Sequence, residues 1–104
     1  MNVYEEFTKK YGDRPQMIKT MEACGELIPA LCKYLIETSP DIVANKYDPD
    51  TCRENIIREA VQVEIMINQL RFVISDLDLW YAIRAEEVER LWAILERDGV
   101  IRPE

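Results

Sequence analysis

The sequence predicts an all-α fold, on three observations. Only three of the 104 residues are glycine, and the five prolines fall mostly at natural breaks. No period-2 alternation runs long enough to give a strand. Apolar residues recur instead at helical spacing over long segments, joined by short polar connections, as in a helical bundle. The length fits one domain, 1–104, with a modest core that oligomerisation would enlarge.

The elements follow in order. A short helix, Val3–Tyr11, stops at Gly12. In "GDRPQ", Asp13 is placed to cap a second helix and Pro15 to sit in its first turn, with the helix running from about Pro15 to Glu37. Its apolar set includes Ile18, Met21, Leu27, Ile28, Leu31 and Leu35. Pro29 lies inside it and cannot donate to the Gly25 carbonyl, which predicts a kink near 25–29. Residues 37–50, "ETSPDIVANKYDPD", read as a polar loop. Asp50 or Thr51 is expected to cap a third helix, about Cys52 to Ile74, with Glu54 closing a capping box on Thr51. That helix is apolar around nearly its whole circumference, which predicts a central position in the bundle and an obligate oligomer, dimer or tetramer. Ser75 and Asp76 are cap candidates for a fourth helix, about Leu79 to Arg97, that Gly99 ends.

Composition excludes several kinds of function. No 18-residue stretch is free of charge, so no membrane-spanning helix is expected, and the charged N-terminus lacks the apolar region of a secretory signal. Cys24, Cys32 and Cys52 are an odd number without CxxC spacing and read as reduced thiols of a cytoplasmic protein, Cys24 and Cys32 filling small packing positions. With no histidine, the commonest zinc ligand and general base are missing. A formal charge of −7 without a basic block argues against duplex nucleic acid as a partner.

The chemistry available lies in acids on the second and third helices. Glu22 and Glu26 are spaced i, i+4; Glu59 and Gln62 are spaced i, i+3 among apolar neighbours. If the helices face each other, three acids converge, and like charges held together call for a cation such as Mg²⁺ or for protons. The bland alternative for the Glu22–Glu26 pair is a solvated face. Glu64, Asn68 and Arg71 read as a solvent-facing or intersubunit line. Trp80, Tyr81 and Trp92 are candidates for core or interface and, less readily, for stacking on a base.

"KYGDRPQMIKTMEACGELIPALCKYL" and "YDPDTCRENIIREAVQVEIMINQL" resemble the two halves of the MazG-like nucleoside triphosphate pyrophosphohydrolases, over about residues 9–74. Members of that family are α-helical oligomers that bind a nucleoside triphosphate with Mg²⁺ and cleave between the α- and β-phosphates. The resemblance implies that the family's ExxE…ExxD ligand set falls on Ala23, Glu26, Glu59 and Gln62. Two of these four are not acids. The acid preceding each motif falls on Glu22, which is kept, and on Arg58, which reverses the charge. Ala23 offers no oxygen and Gln62 only a neutral one, so Mg²⁺ is left with Glu26 and Glu59, and with Glu22 as a further candidate. The expectation is a catalytically degenerate MazG-like protein that binds or sequesters a nucleotide, cyclic or linear, or a nucleotide-derived signal. A phage-encoded sponge in the host cytoplasm is an extrapolation of it. The implied site comprises Gln16, Lys19, Glu22, Glu26, Arg58, Glu59 and Gln62. The rivals are an active Mg²⁺-dependent pyrophosphohydrolase and a non-catalytic helical interaction module.

Overall fold

Asn2 opens the first helix, α1 (Val3–Tyr11). Its Oδ1 accepts from the backbone N–H groups of Tyr4 and Glu5, at 2.9 and 3.4 Å, so two of the donors that a helix start leaves orphaned are satisfied. The architecture, a computed structural model that describes residues 2–39 and 48–104, is all helical among the described residues. Three further helices follow: α2 (Asp13–Glu37), α3 (Pro49–Ile74) and α4 (Leu77–Arg97). No helix among the described residues is long and apolar enough to cross a membrane. The chain divides into two compact units, Met1–Ile74 and Ser75–Glu104.

In the first unit, α2 lies against α3 over most of its length, and α1 packs on α3 and more lightly on α2. Gly12 alone separates α1 from α2, at φ 84° and ψ 175°, a region that side chains exclude. The second helix starts directly after it, with Asp13 in its first turn and no side-chain cap, so Asp13 is not the cap that the sequence suggests. The helix is continuous through Pro29. Its buried residues are Gln16, Ala23 and Ala30, a seven-residue repeat of one amide and two small side chains that lets α3 come close.

The start of α3 differs from the expected one. Asp48, not Asp50 or Thr51, is the cap: its carboxylate accepts from the backbone N–H and the hydroxyl of Thr51, both at 3.3 Å, and its carbonyl from the Cys52 N–H at 3.0 Å. Pro49 takes the first helical position, where its missing N–H costs nothing. Glu54 closes no box; it pairs with Arg58 at 3.1 Å one turn on. Of the loop expected over 37–50, residues 40–47 lie outside the described ones.

The third helix is not buried all round in the single chain. Ile57, Val61 and Ile65 form an exposed i, i+4, i+8 stripe, and only Cys52 and Gln69 are fully buried. A longer open stripe runs along α2: Met17, Met21, Cys24, Ile28, Leu31 and Leu35, at alternating spacings of four and three. Met21, Ile28 and Leu35 are 66%, 62% and 67% exposed. In the single chain Cys24 and Cys32 are exposed and Cys52 is buried.

The second unit is α4 with its tail. Asp76, one of the two expected cap residues, accepts from the Leu79 N–H at 3.2 Å. The helix ends as expected at Gly99, whose φ of 93° allows the Gly99 N–H to reach the Glu96 carbonyl and the Val100 N–H that of Leu95, a Schellman ending. Arg102 then folds back on the helix, making two 2.7 Å hydrogen bonds to Glu89 and lying 5.2 Å from the Trp92 ring centroid. The bidentate guanidinium holds the Glu89 carboxyl below its ordinary value, and the same bonds raise Arg102.

Candidate functional site

The α2–α3 pair runs antiparallel, because residues early in α2 share clefts with residues late in α3. Three clefts follow one another along the seam. The first, about 340 Å³, is bordered by α1 and lined by Phe7, Tyr11, Pro15, Gln16, Lys19, Met66 and Gln69. The second, about 280 Å³, is lined by Lys19, Glu22, Ala23, Glu26, Gln62, Ile65 and Met66. The third, about 350 Å³, is lined by Glu26, Pro29, Ala30, Lys33, Asn55 and Glu59. Lys19 and Met66 border the first two and Glu26 the last two, so the clefts make one trough.

Six of the seven sequence-derived site residues line this trough: Gln16, Lys19, Glu22, Glu26, Glu59 and Gln62. They do so because Gln16, Lys19, Ala23, Glu26 and Ala30 share one face of α2, while Glu59, Gln62, Met66 and Gln69 share one face of α3. Arg58 is the exception. It is exposed, bonds Glu54 at 3.1 Å, and is not among the residues that line the three clefts. One residue along a helix turns the side chain by about 100°, so Arg58 and Glu59 leave α3 in different directions. Lys19 is therefore the cation that the middle cleft offers.

Ala23, 6% exposed, sits in the middle cleft with a methyl group where the family resemblance puts a metal ligand. Around it stand Glu22 and Glu26 from one helix and the neutral Gln62 from the other. Glu59 opens into the neighbouring cleft. Among the described residues no three His, Cys, Asp or Glu side chains gather to hold a metal ion. This donor set does not fit the near-octahedral, carboxylate-rich shell that Mg²⁺ requires.

Two oxygens in the trough are buried without a hydrogen-bond partner: Glu59 Oε2 and Gln69 Oε1. A buried acceptor left unpaired costs roughly 1–3 kcal/mol. Gln69 is not among the site residues that the sequence points to. The signal existed: the face carrying Glu59 and Gln62, extended two turns, passes through Met66 and reaches Gln69. Tyr81 is exposed, Trp80 is half-buried, and Trp92 lies against Arg102; the rings at the trough are Phe7 and Tyr11, 5.6 Å apart and tilted by 37°. In the Glu64, Asn68 and Arg71 line, Glu64 is exposed and the other two half-buried.

In comparisons with known proteins, no family model, no curated protein and no solved structure matches the chain.

Proposed function

We propose that this chain is a catalytically degenerate MazG-like protein that binds or sequesters a nucleotide or a nucleotide-derived signal without cleaving it. The observation that carries the proposal is the trough: residues of both resembling segments meet across α2 and α3, with Lys19, Glu22, Glu26 and Gln62 around a buried Ala23. Lys19 is available to a phosphate. Gln62 both donates and accepts, which suits a base or ribose edge. Glu26 and Glu59 accept from hydroxyl or amino groups, a use for carboxylates that needs no metal. Two acids beside one lysine repel a long polyphosphate, so the site favours a ligand with few phosphate charges.

The bundle is completed between copies, as a dimer or tetramer, in this reading. The open stripe of α2 supports it. Its alternating spacing of four and three is that of a helix seam that inserts side chains between those of a partner helix. Sedimentation of the chain at micromolar concentration is expected to give an oligomer that Met21→Glu with Leu35→Glu dissociates. A stable wild-type monomer overturns this part.

The test of the binding function is calorimetry with linear and cyclic nucleotides in metal-free buffer. Binding that weakens on Lys19→Ala is expected, with no pyrophosphate release when Mg²⁺ is added. Turnover on the order of 1 s⁻¹ or faster overturns the degenerate reading. No binding tighter than about 1 mM overturns the nucleotide.

A further inference from the structure

We infer that the open stripe of α2 receives the α2 helix of a second copy of this chain, running antiparallel about a two-fold axis at the level of Glu26. The inference deepens the reading that the bundle is completed between copies and rests on it: it fixes which residue of one copy faces which of the other.

The stripe is Met17, Met21, Cys24, Ile28, Leu31 and Leu35, and every member is exposed. A helix turns about 100° per residue, so these side chains fall within about 40° of one line, and the line runs about 27 Å from Met17 to Leu35. The chain carries a charge of −7, so two copies repel wherever acid meets acid. Along this line none does. The charged residues between Met17 and Leu35 are Lys19, Glu22, Glu26 and Lys33. Each leaves the helix about 140° or more from the stripe. Gly25 stands about 80° off, beside the seam and not in it.

The order of side-chain sizes selects a second copy over an unrelated partner. Turned about position 26, the stripe maps onto itself. Met17 faces the partner's Leu35, Met21 the partner's Leu31 and Cys24 the partner's Ile28. The small thiol is filled by a branched side chain and each methionine by a leucine, so the layers are even in size. A parallel pair in register would instead set two cysteines against each other, with a gap between them, and two isoleucines in the next layer. The antiparallel pair also sets the helix dipoles head to tail.

The pairing leaves the trough free. Lys19, Ala23 and Glu26, which line it from α2, leave the helix about 120° or more from the stripe. The dimer thus carries two troughs, each built by one copy and turned away from the seam.

The experiment is disulfide trapping of the full chain under mild oxidation, alongside sedimentation. Cys24→Ala with Cys32→Ser is the background, so that only the buried Cys52 remains. Met21→Cys combined with Leu31→Cys is expected to give a covalent dimer, in which peptide mass spectrometry links position 21 of one copy to position 31 of the other. Either substitution alone is expected to give none. Position 21 of the two copies is then ten residues apart along the seam, about 15 Å, where a disulfide needs Cα atoms within about 7 Å. A covalent dimer from Met21→Cys alone overturns the antiparallel seam. So does a double variant that sediments as an oligomer and is not trapped, and in that case the oligomeric reading survives. A wild-type chain that sediments as a monomer at micromolar concentration overturns both. If the double variant alone fails to associate, Met17→Cys with Leu35→Cys puts the same question at the outer layer, and absence of trapping there overturns the seam.

Discussion

The two ends of the α2–α3 trough each bury an oxygen without a partner, but one belongs to an amide and the other to a carboxylate. At the Gln69 end, two aromatic rings and a methionine line the cleft together with the amide, and no acid is in the lining. At the Glu59 end, Glu26, Lys33 and Asn55 share the cleft with the charged acceptor. The first end is thus neutral and largely apolar and the second polar and charged, with Ala23 and Lys19 between them.

The largest expected effect comes from refilling the floor between the ends. Ala23→Glu puts a carboxylate into a site that is 6% exposed, beside Glu22 and Glu26. In metal-free buffer it is expected to destabilise by about 3 kcal/mol or more. Combined with Gln62→Asp it makes stability depend on Mg²⁺, gaining about 2.7 kcal/mol at a hundredfold excess over Kd. Thermal melts across a Mg²⁺ series check this. If the double variant is unaffected by Mg²⁺, the two helices do not hold these positions across from each other.

A smaller effect is local to the carboxylate end. Asp48→Ala removes the cap from the start of α3, close in sequence to Asn55 and Glu59. The loss is expected to be about 1 kcal/mol. Hydrogen exchange should rise in the first turns of α3 and leave the segment around Gln69 protected. Equal loss at both ends would show that the trough opens as one piece.

Gly25→Ala is expected to act in the opposite direction. The glycine is exposed within α2, and a methyl group there meets nothing within 4 Å. Stability should rise by about 0.8–1 kcal/mol, or about 4–8 °C in a chain of this size. A fall in stability would mean that a partner helix approaches α2 at this point.

The smallest expected effect lies in the second unit and serves as a control. The Glu89 pKa is lowered by its bonds to Arg102. The stability that this pair contributes is therefore complete above the ordinary glutamate value, near 4.3, and is lost as the pH falls through the lowered one. Trp92 fluorescence should report release of Arg102 in that acid range, and Arg102→Ala should abolish the transition. Both groups are exposed, so the global melting temperature should scarcely change.

Much of this architecture was legible in the sequence because it depends on local chemistry. Gly12 and Gly99 end helices, and Asp76 begins one, for reasons contained within a few residues. The α3 cap differs from the expected one because two local signals compete. Thr51 with Glu54 has the spacing of a capping box, but Asp48 followed by Pro49 starts the helix one turn earlier, and Glu54 then finds Arg58. The trough was legible in part, since helical spacing aligns Glu22 with Glu26 and Glu59 with Gln62. Gln69 was hidden by its company of Leu70, Phe72 and Val73. The sense in which Arg58 points could not be read from its charge, only from the face it occupies. Nor does spacing alone tell which of two stripes on α2 turns toward α3; Ala23 and Ala30 occupy the covered one, while the larger Met21, Ile28 and Leu35 stay open.

Gly12 gives the molecule a point of unequal mutational tolerance. Its backbone occupies a region closed to every other residue, although there is open space for a side chain. Any replacement must therefore re-aim α1 rather than merely crowd it. Phe7 and Tyr11 reach the Gln69 cleft only by way of α1, whereas the Glu59 cleft has no lining from that helix. In a saturation library, substitutions at this one position should form a class of their own: folded chains in which the α1-lined cleft is altered while the cleft at Glu59 is kept.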